Sequence, residues 1–230
     1  MSALHARLSS SLQARETKRI KRTLSPSRHP QLVDPSLTDF SSNDYLSLAT
    51  SPVLKQKLLT ALAALPSPLG PSSSRLLDGN TPAHLALETH LAAFLAADAG
   101  LLFNSGFDAN SGLWACLPDR DDYIIYDALI HASTHDGMRA SRVSPANRRP
   151  FAHNDVQDLE RVLRECSEDA EVRSGNRSVW VAVETLYSMD GDLSPLTEMV
   201  TVVERVLERG NGHMVVDEVR LLAAGQKGCR

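Results

Sequence analysis

Short apolar runs that alternate with helical patterns constrain the fold of this chain most. The predicted strands are residues 101–103, 123–126, 179–183 and 213–216. The last three runs end at acidic residues, namely Asp127, Glu184 and Asp217. Strands that alternate with helices build βαβ units and a mostly parallel sheet. The pattern therefore predicts an α/β fold, with polar side chains gathered where the strands end.

The segments between these strands carry signals for helix starts. The predicted helices cover 52–64, a segment from Pro82, 107–117, a segment from about His131, 155–166 and a segment from Pro195 to about Arg209. Thr81 is placed as an N-cap before a proline at the first helical position. Asn154 and Gln157 form a plausible capping pair. The stretch 66–74 is rich in Pro, Gly and Ser, which indicates a loop.

Composition excludes several classes of protein. The 230 residues carry a net charge of −4, which argues against a strongly basic nucleic-acid binder. No apolar run approaches the roughly 18 residues of a membrane span. The three cysteines form no CxxC pair, so we expect neither disulfides nor a metal site, and a reducing compartment fits best.

The start of the chain leaves the compartment open. Residues 1–30 hold seven Lys or Arg and one acidic residue, Glu16. Such a segment can be a mitochondrial transit peptide or a basic surface helix. We expect a cytoplasmic protein, with a mitochondrial one as the alternative.

Candidate site residues lie at the predicted strand ends, where parallel sheets bind ligands. Ser105, Gly106 and Phe107 open a helix directly after a strand, and free N–H groups there suit a phosphate. A turn without a ligand is the alternative. Asp217 at the end of an apolar strand is either a capping or ion-paired residue or holds a heterocyclic nitrogen in its protonated form. His131 is either structural or catalytic.

The turn that contains Asp190 and Asp192 is too short for a calcium loop, and a tight turn is the favoured interpretation. A phosphate anchor, a stacking ring and a buried carboxylate together describe a site for pyridoxal phosphate. That cofactor needs an acid facing its pyridine nitrogen, so that the ring can act as an electron sink.

Ordered motifs along most of the chain then identify a family. They are Phe40–Leu46, 70–75 with Gly79 and His84, Leu87-Glu88, 103–110, Asp127 with 131–133, 151–155, 188–192 with Pro195-Leu196, and 216–218. In these segments the chain resembles the α-oxoamine synthases, pyridoxal-phosphate enzymes with the fold of aspartate aminotransferase. The resemblance implies a three-layer large domain with a mostly parallel sheet, here incomplete.

The resemblance also implies domains and roles. Residues 1–45 would be an N-terminal arm and 46–230 part of the pyridoxal-phosphate-binding large domain, with the small C-terminal domain absent. The residues expected to bind the cofactor are Ser105, Gly106, Phe107, His131, Ser188 and Asp217. In this assignment His131 stacks on the ring as the catalytic residue, Ser188 bonds near the ring hydroxyl and Asp217 pairs with the ring nitrogen. Arg22 and Asn43 would meet the substrate.

The family reaction condenses a small amino acid with an acyl-CoA and releases CO₂. The members most similar in these motifs serve biotin biosynthesis and use L-alanine and pimeloyl-CoA. Relatives that make 5-aminolevulinate, 2-amino-3-ketobutyrate or a sphingoid base share much of the pattern. The resemblance further implies a homodimer, with neither nucleic acid nor a membrane span.

Two features depart from the family. Arg220 stands where the family has a histidine, and none of the five lysines, Lys18, Lys21, Lys55, Lys57 and Lys227, matches the family's Schiff-base lysine. The chain is therefore expected to be inactive alone. Three alternatives follow: a truncated form of a synthase, a non-catalytic cofactor-binding remnant or partner subunit of a full-length synthase, and an unstable product without function.

Overall fold

The structure, a computed structural model, describes residues 2–23, 37–38, 40, 42–65 and 69–220. It divides into two units, Met1–Asn43 and Asp44–Arg230. In the first unit, helix α1 (Ala3–Thr17) is exposed along its whole length. It begins after Ser2, whose side chain accepts a hydrogen bond from the backbone N–H of His5.

The second unit alternates helices with strands in chain order. The elements are α2 (Pro52–Ala63), α3 (Pro82–Leu95), α4 (Gly106–Cys116), β1 (Tyr123–Asp127), α5 (Ala132–Ala140), β2 (Arg148–Phe151), α6 (Val156–Cys166), α7 (Ala170–Ser174), β3 (Val179–Glu184), α8 (Leu196–Val206) and β4 (Gly212–Asp217). Short 3₁₀ turns precede α2, at Leu48–Thr50, and β2, at Pro145–Asn147.

The four strands form one parallel sheet in the order β2-β1-β3-β4. Alternate residues of β1 and β3 point to opposite faces, as the pleat of a strand requires. On one face, Ile125 and Val181 pack against α6 and α8 in a core that also contains Leu163 and Met199.

On the other face, Ile124 and Ala182 pack with Trp114 of α4 and Met138 of α5. Helices thus cover both sides of the sheet. The predicted α/β class and its three-layer arrangement are confirmed for this part of the chain.

Helix α3 starts as predicted. Thr81 accepts a hydrogen bond from the N–H of His84, and Pro82 occupies the first turn. The other predicted helices are present, with two corrections at their ends. Helix α6 is capped by Asp155, which accepts from the N–H groups of Gln157 and Asp158. Asn154 has a left-handed backbone with a φ of 53°, and its side chain turns away toward Asp192.

Helix α8 is shorter than predicted and ends at Val206 rather than near Arg209. Its end comes where Leu207 leaves the helical conformation, with φ −110° and ψ 59°, while its side chain stays buried. Gly210 then turns the chain toward β4 with a φ of 73°.

The strand predicted at 101–103 is wrong. These residues have no regular structure, Leu101 and Phe103 are exposed, and the N–H of Leu102 donates to the Glu88 carboxylate at 2.8 Å. The observed strand β2 had no prediction because its sequence Arg-Arg-Pro-Phe lacks an apolar run. Its place outside β1 tolerates Pro150, as the outer strand of a sheet does.

The described ranges contain neither a candidate membrane span nor a candidate metal cluster. None of the helices there is long and apolar enough to cross a bilayer. The same residues contain no group of three or more His, Cys, Asp or Glu side chains that could hold a metal ion. Within the predicted loop 66–74, residues 66–68 lie outside the described residues.

Candidate active site

Three carboxylates lie at the ends of neighbouring parallel strands. Asp127 ends β1, Glu184 ends β3 and Asp217 ends β4, and Glu184 is the direct register partner of Asp217. We call this edge of the sheet, with the first turns of α4 and α5, the carboxyl rim. The convergence of polar groups predicted from the strand ends is present for these three acids.

Asp127 is a structural member of the rim. It is fully buried, and its oxygens accept from the N–H groups of Leu129 at 2.8 Å and Asn154 at 2.9 Å. His153 bridges it to Asp192, with Nδ1 2.8 Å from Asp127 and Nε2 3.0 Å from Asp192. Burial lowers the pKa of His153, but the two carboxylates outweigh it, so the pKa is raised. This bridge fastens the turn that precedes α8 to β1.

Glu184 is buried between the other two acids, with only 4% of its surface exposed. One carboxylate oxygen, Oε1, has no hydrogen-bond partner among the described residues. Burial and the negative charge of Asp217 raise the pKa of Glu184 to about 7, against a hydrogen bond from the N–H of His131 and the positive charge of Arg220. This carboxyl group therefore titrates near neutral pH.

Asp217 is held by neutral donors. Its Oδ2 accepts from Asn110 Nδ2 at 2.7 Å, and its Oδ1 accepts from the N–H of Val219 at 3.0 Å. Neither of these two donors carries a positive charge. Of the interpretations given for Asp217, the bond from the Val219 N–H fits a capping residue, and its role toward a heterocyclic nitrogen stays a prediction.

His131 is the N-cap of α5. Its Nδ1 lies 2.7 Å from Ser133 Oγ and accepts from the Ser133 N–H at 3.2 Å. The residue is exposed, and its ring meets the ring of Phe107 edge to face at 6.3 Å.

The first turn of α4 provides the second element of the site. Ser105 caps the helix by accepting from the Asp108 N–H at 3.0 Å, and it donates to the Asp108 carboxylate at 2.9 Å. A Cβ at Gly106 would come within 2.8 Å of Val219 Cγ2. Glycine thus allows the chain after β4 to pass close to the start of the helix, whose first N–H groups have no acceptor within the helix.

Three further residues were predicted to belong to the site, namely Ser188, Arg22 and Asn43. Ser188 is half-buried in the turn 188–190, which the Tyr187 and Asp192 backbones close with a hydrogen bond of 3.0 Å. The favoured interpretation of this segment as a tight turn is confirmed. Arg22 and Asn43 are exposed residues of the first unit. Their role toward substrate stays a prediction.

Two rim residues had no individual role in the sequence analysis, although both lie inside the quoted motifs. Asn110 joins Asp217 to α5, and His153 joins Asp127 to Asp192. For Asn110, the available signal is an amide in the second turn of a helix that starts at the rim. For His153, which lies two residues after β2, the sequence offers no such signal, because β2 itself was not predicted.

Comparisons with known proteins agree with this geometry. Residues 35–219 match the family model described as aminotransferase class I and II. The 8-amino-7-oxononanoate synthase of Emericella nidulans is 44% identical over 214 residues, which are 92% of this chain and 50% of that protein. The aminoacyl transferase sphA of Byssochlamys spectabilis is 38% identical over 80% of this chain and 39% of its own length.

Solved structures agree as well. A serine palmitoyltransferase from S. paucimobilis, solved with a bound PLP–myriocin aldimine, has a TM-score of 0.65 and 29% identity. The match covers 77% of this chain and 41% of that one. The chain spans about half the length of the curated relatives it matches or less. The resemblance to the α-oxoamine synthases is confirmed, and the chain belongs to the aminotransferase class I and II family.

Proposed function

We propose that this chain supplies the cofactor-binding rim of an α-oxoamine synthase, which joins a small amino acid to an acyl-CoA with loss of CO₂. One observation carries the proposal. Asp217, held by the neutral donors Asn110 and Val219 N–H, faces the same rim as His131 and the start of α4. A heterocyclic cofactor with a phosphate group needs this combination of groups.

The residues present fit pyridoxal phosphate. Asp217 would hold the ring nitrogen, His131 would lie against the ring, and Ser188 would bond near the ring hydroxyl. The N–H groups of Gly106 and Phe107 would receive the phosphate at the positive end of α4. Oε1 of buried Glu184, which has no hydrogen-bond partner among the residues that the structure describes, is a further polar atom at this rim that a bound group can satisfy. When bound, pyridoxal phosphate supplies an electron-withdrawing ring that stabilises a carbanion.

The proposed substrates are L-alanine and pimeloyl-CoA. In that reaction the bond between the alanine α-carbon and its carboxylate breaks, and a bond forms from the α-carbon to the acyl carbon. CO₂ and the CoA thiol leave. The name of the Emericella nidulans relative, 8-amino-7-oxononanoate synthase, supports this choice over other oxoamine products. Arg22 and Asn43 are the proposed substrate contacts.

A second candidate function is cofactor binding without catalysis, as the partner of a complete subunit. The sequence has no lysine between Lys57 and Lys227, so the rim from α4 to β4 carries no amine of its own. Lys57 lies on the exposed helix α2. The amine for covalent chemistry would then come from a residue outside this rim or from another chain.

Equilibrium dialysis with pyridoxal phosphate tests both candidates. We expect the chain to bind it, Asp217→Asn to bind roughly tenfold or more weakly, and the exposed-site control Asp119→Asn to bind as the parent does. No binding by the parent chain would refute both candidates. With binding established, product formation from L-alanine and pimeloyl-CoA supports the synthase, whereas binding without product supports the partner subunit.

A further inference from the structure

One amide group connects the end of β4 to the start of α5. Asn110 Nδ2 lies 2.7 Å from Asp217 Oδ2 and 3.0 Å from Ser133 Oγ. A carboxylate only accepts hydrogen bonds, so the atom that faces Asp217 must be the amide nitrogen rather than its oxygen. The two hydrogens of that nitrogen thus serve two partners that are far apart in sequence.

The same hydrogen-bond network reaches His131 through Ser133. Its Nδ1 accepts from the backbone N–H of Ser133 at 3.2 Å, so Nδ1 carries no proton of its own in this arrangement. Ser133 Oγ, 2.7 Å from the same nitrogen, therefore donates to it and accepts from Asn110. The ring proton then resides on Nε2. Hydrogen bonds are thus donated outward from Asn110, directly to Asp217 on one side and through the Ser133 hydroxyl to His131 on the other.

Close packing of α4 on α5 brings these residues within reach. A Cβ at Gly137 would lie 2.9 Å from Ser111 Cα and 3.0 Å from the Asn110 carbonyl oxygen. Ser111 Oγ also donates to the Ser133 carbonyl at 3.3 Å. Because Gly137 has no side chain, the two helices approach closely enough for the Asn110 amide to reach both partners.

We propose that Asn110 is a positioning residue that orients Asp217 and His131 together. This inference rests on the proposed function, in which these two side chains hold the ring nitrogen and one face of the cofactor. In this proposal Asn110 acts through Asp217 and Ser133 and not by contact with the cofactor or the substrate. It presents the Asp217 carboxylate to the rim through Oδ2, and it orders the Ser133 hydroxyl that holds the imidazole.

The chemistry of this position requires an amide. An aspartate would place a second acceptor-only carboxylate against Asp217, and a leucine of similar size has no donor. Serine could donate only one hydrogen. Asparagine is short, neutral and able to donate twice from one atom, which matches the two contacts observed.

The test uses Asn110→Leu, with Asn110→Ser as a second variant should the leucine variant fail to fold. The matched control is Asn147→Leu, because the Asn147 amide contacts only the Asp121 and Asp122 carbonyls among the bonds described for it. Each chain is titrated with pyridoxal phosphate carrying ¹⁵N in the pyridine ring. Affinity and the ¹⁵N shift, which reports ring protonation, are both measured.

We expect the Asn110 variants to bind roughly 10- to 100-fold more weakly and to lose the protonated-ring signal, with the control unchanged. In an Asp217→Asn background, the Asn110 substitution should cause little additional loss, because it acts through Asp217. A parental affinity and ¹⁵N shift in a folded Asn110 variant would overturn the inference, as would full additivity with Asp217→Asn. Failure of the parent chain to bind would instead refute the proposed function.

Discussion

Replacing Glu184 by glutamine should remove a pH-dependent loss of stability. Burial and the charge of Asp217 raise the pKa of Glu184 from 4.5 to about 7. The folded chain therefore keeps a proton on this group between pH 4.5 and 7, where the unfolded chain has lost it. Protons bound in excess by the folded state mean that stability falls as pH rises through this range.

The size of the effect follows from the shift. Each pKa unit corresponds to about 1.36 kcal/mol, so the raised pKa of Glu184 lowers the free energy of unfolding by about 3 kcal/mol at pH 8. Of this loss, about 2–3 kcal/mol develops between pH 5 and pH 8. Glutamine resembles the protonated carboxyl group in shape and charge. It can still accept from the His131 N–H, and it adds a donor in a region of negative charge.

Urea unfolding of the parent chain and of Glu184→Gln at pH 5 and pH 8 measures this term. We expect similar stabilities at pH 5 and a glutamine variant more stable by about 2–3 kcal/mol at pH 8, a midpoint shift of about 1 M. His153 is present in both chains, so its own titration cancels in the comparison. Glu204→Gln, at an exposed site on α8, should follow the parent. Parallel pH profiles for the parent and Glu184→Gln would refute the reasoning.

Three further outcomes follow from the packing and the ion pairs. Gly137→Ala should lower the free energy of unfolding by about 1–2 kcal/mol, since overpacking between α4 and α5 outweighs the gain in helix propensity; a more stable variant in urea would contradict this. Arg75 holds the pKa of Glu88 at about 2 through two hydrogen bonds of 2.6 and 2.9 Å. Stability from this pair is complete above pH 4.5 and falls toward pH 2, so acid unfolding of Glu88→Gln should depend less on pH over this range. Burial raises the pKa of Cys166 to about 11, so iodoacetamide at pH 8 should label exposed Cys116 well before Cys166, as read by peptide mass spectrometry.

Sequence patterns predicted correctly those helices and strands whose stabilising features, such as an apolar run or a helix cap, lie within the element itself. Strand β3 is an apolar run long enough to be buried on both faces, and α3 carries its own cap at Thr81. The predictions fail where a residue distant in sequence determines the backbone conformation. Residues 101–103 look like a short strand, yet the Leu102 N–H is bound by Glu88, fourteen positions earlier. Strand β2 is polar in sequence, and it forms because its backbone pairs with the backbone N–H and C=O groups along one edge of β1.

The site was predictable in its location but only partly in its contacts. Strand ends followed by helix starts place Asp217 and His131 at one edge of the sheet, and the structure agrees. Gly106 was placed there by a predicted strand that is absent, although the start of α4 does pass close to Val219. The bond from Asn110 to Asp217 spans 107 positions, and no spacing rule connects such residues. The same holds for His153, whose link to Asp192 spans 39 positions. Contacts of this kind come from the packing of α4, α5 and the sheet.

The three rim acids show why similar sequence patterns lead to different chemistry. Each ends an apolar strand, but Asp127 is bound by His153 and two backbone N–H groups, which makes it a structural anchor. Asp217 receives only neutral donors, and Glu184 keeps an oxygen without a partner among the described residues. Three acids at equivalent places in the sheet therefore have three different sets of partners. A positively charged group bound at Asp217 would oppose the repulsion that raises the pKa of Glu184, so ligand binding and the titration of Glu184 should be coupled.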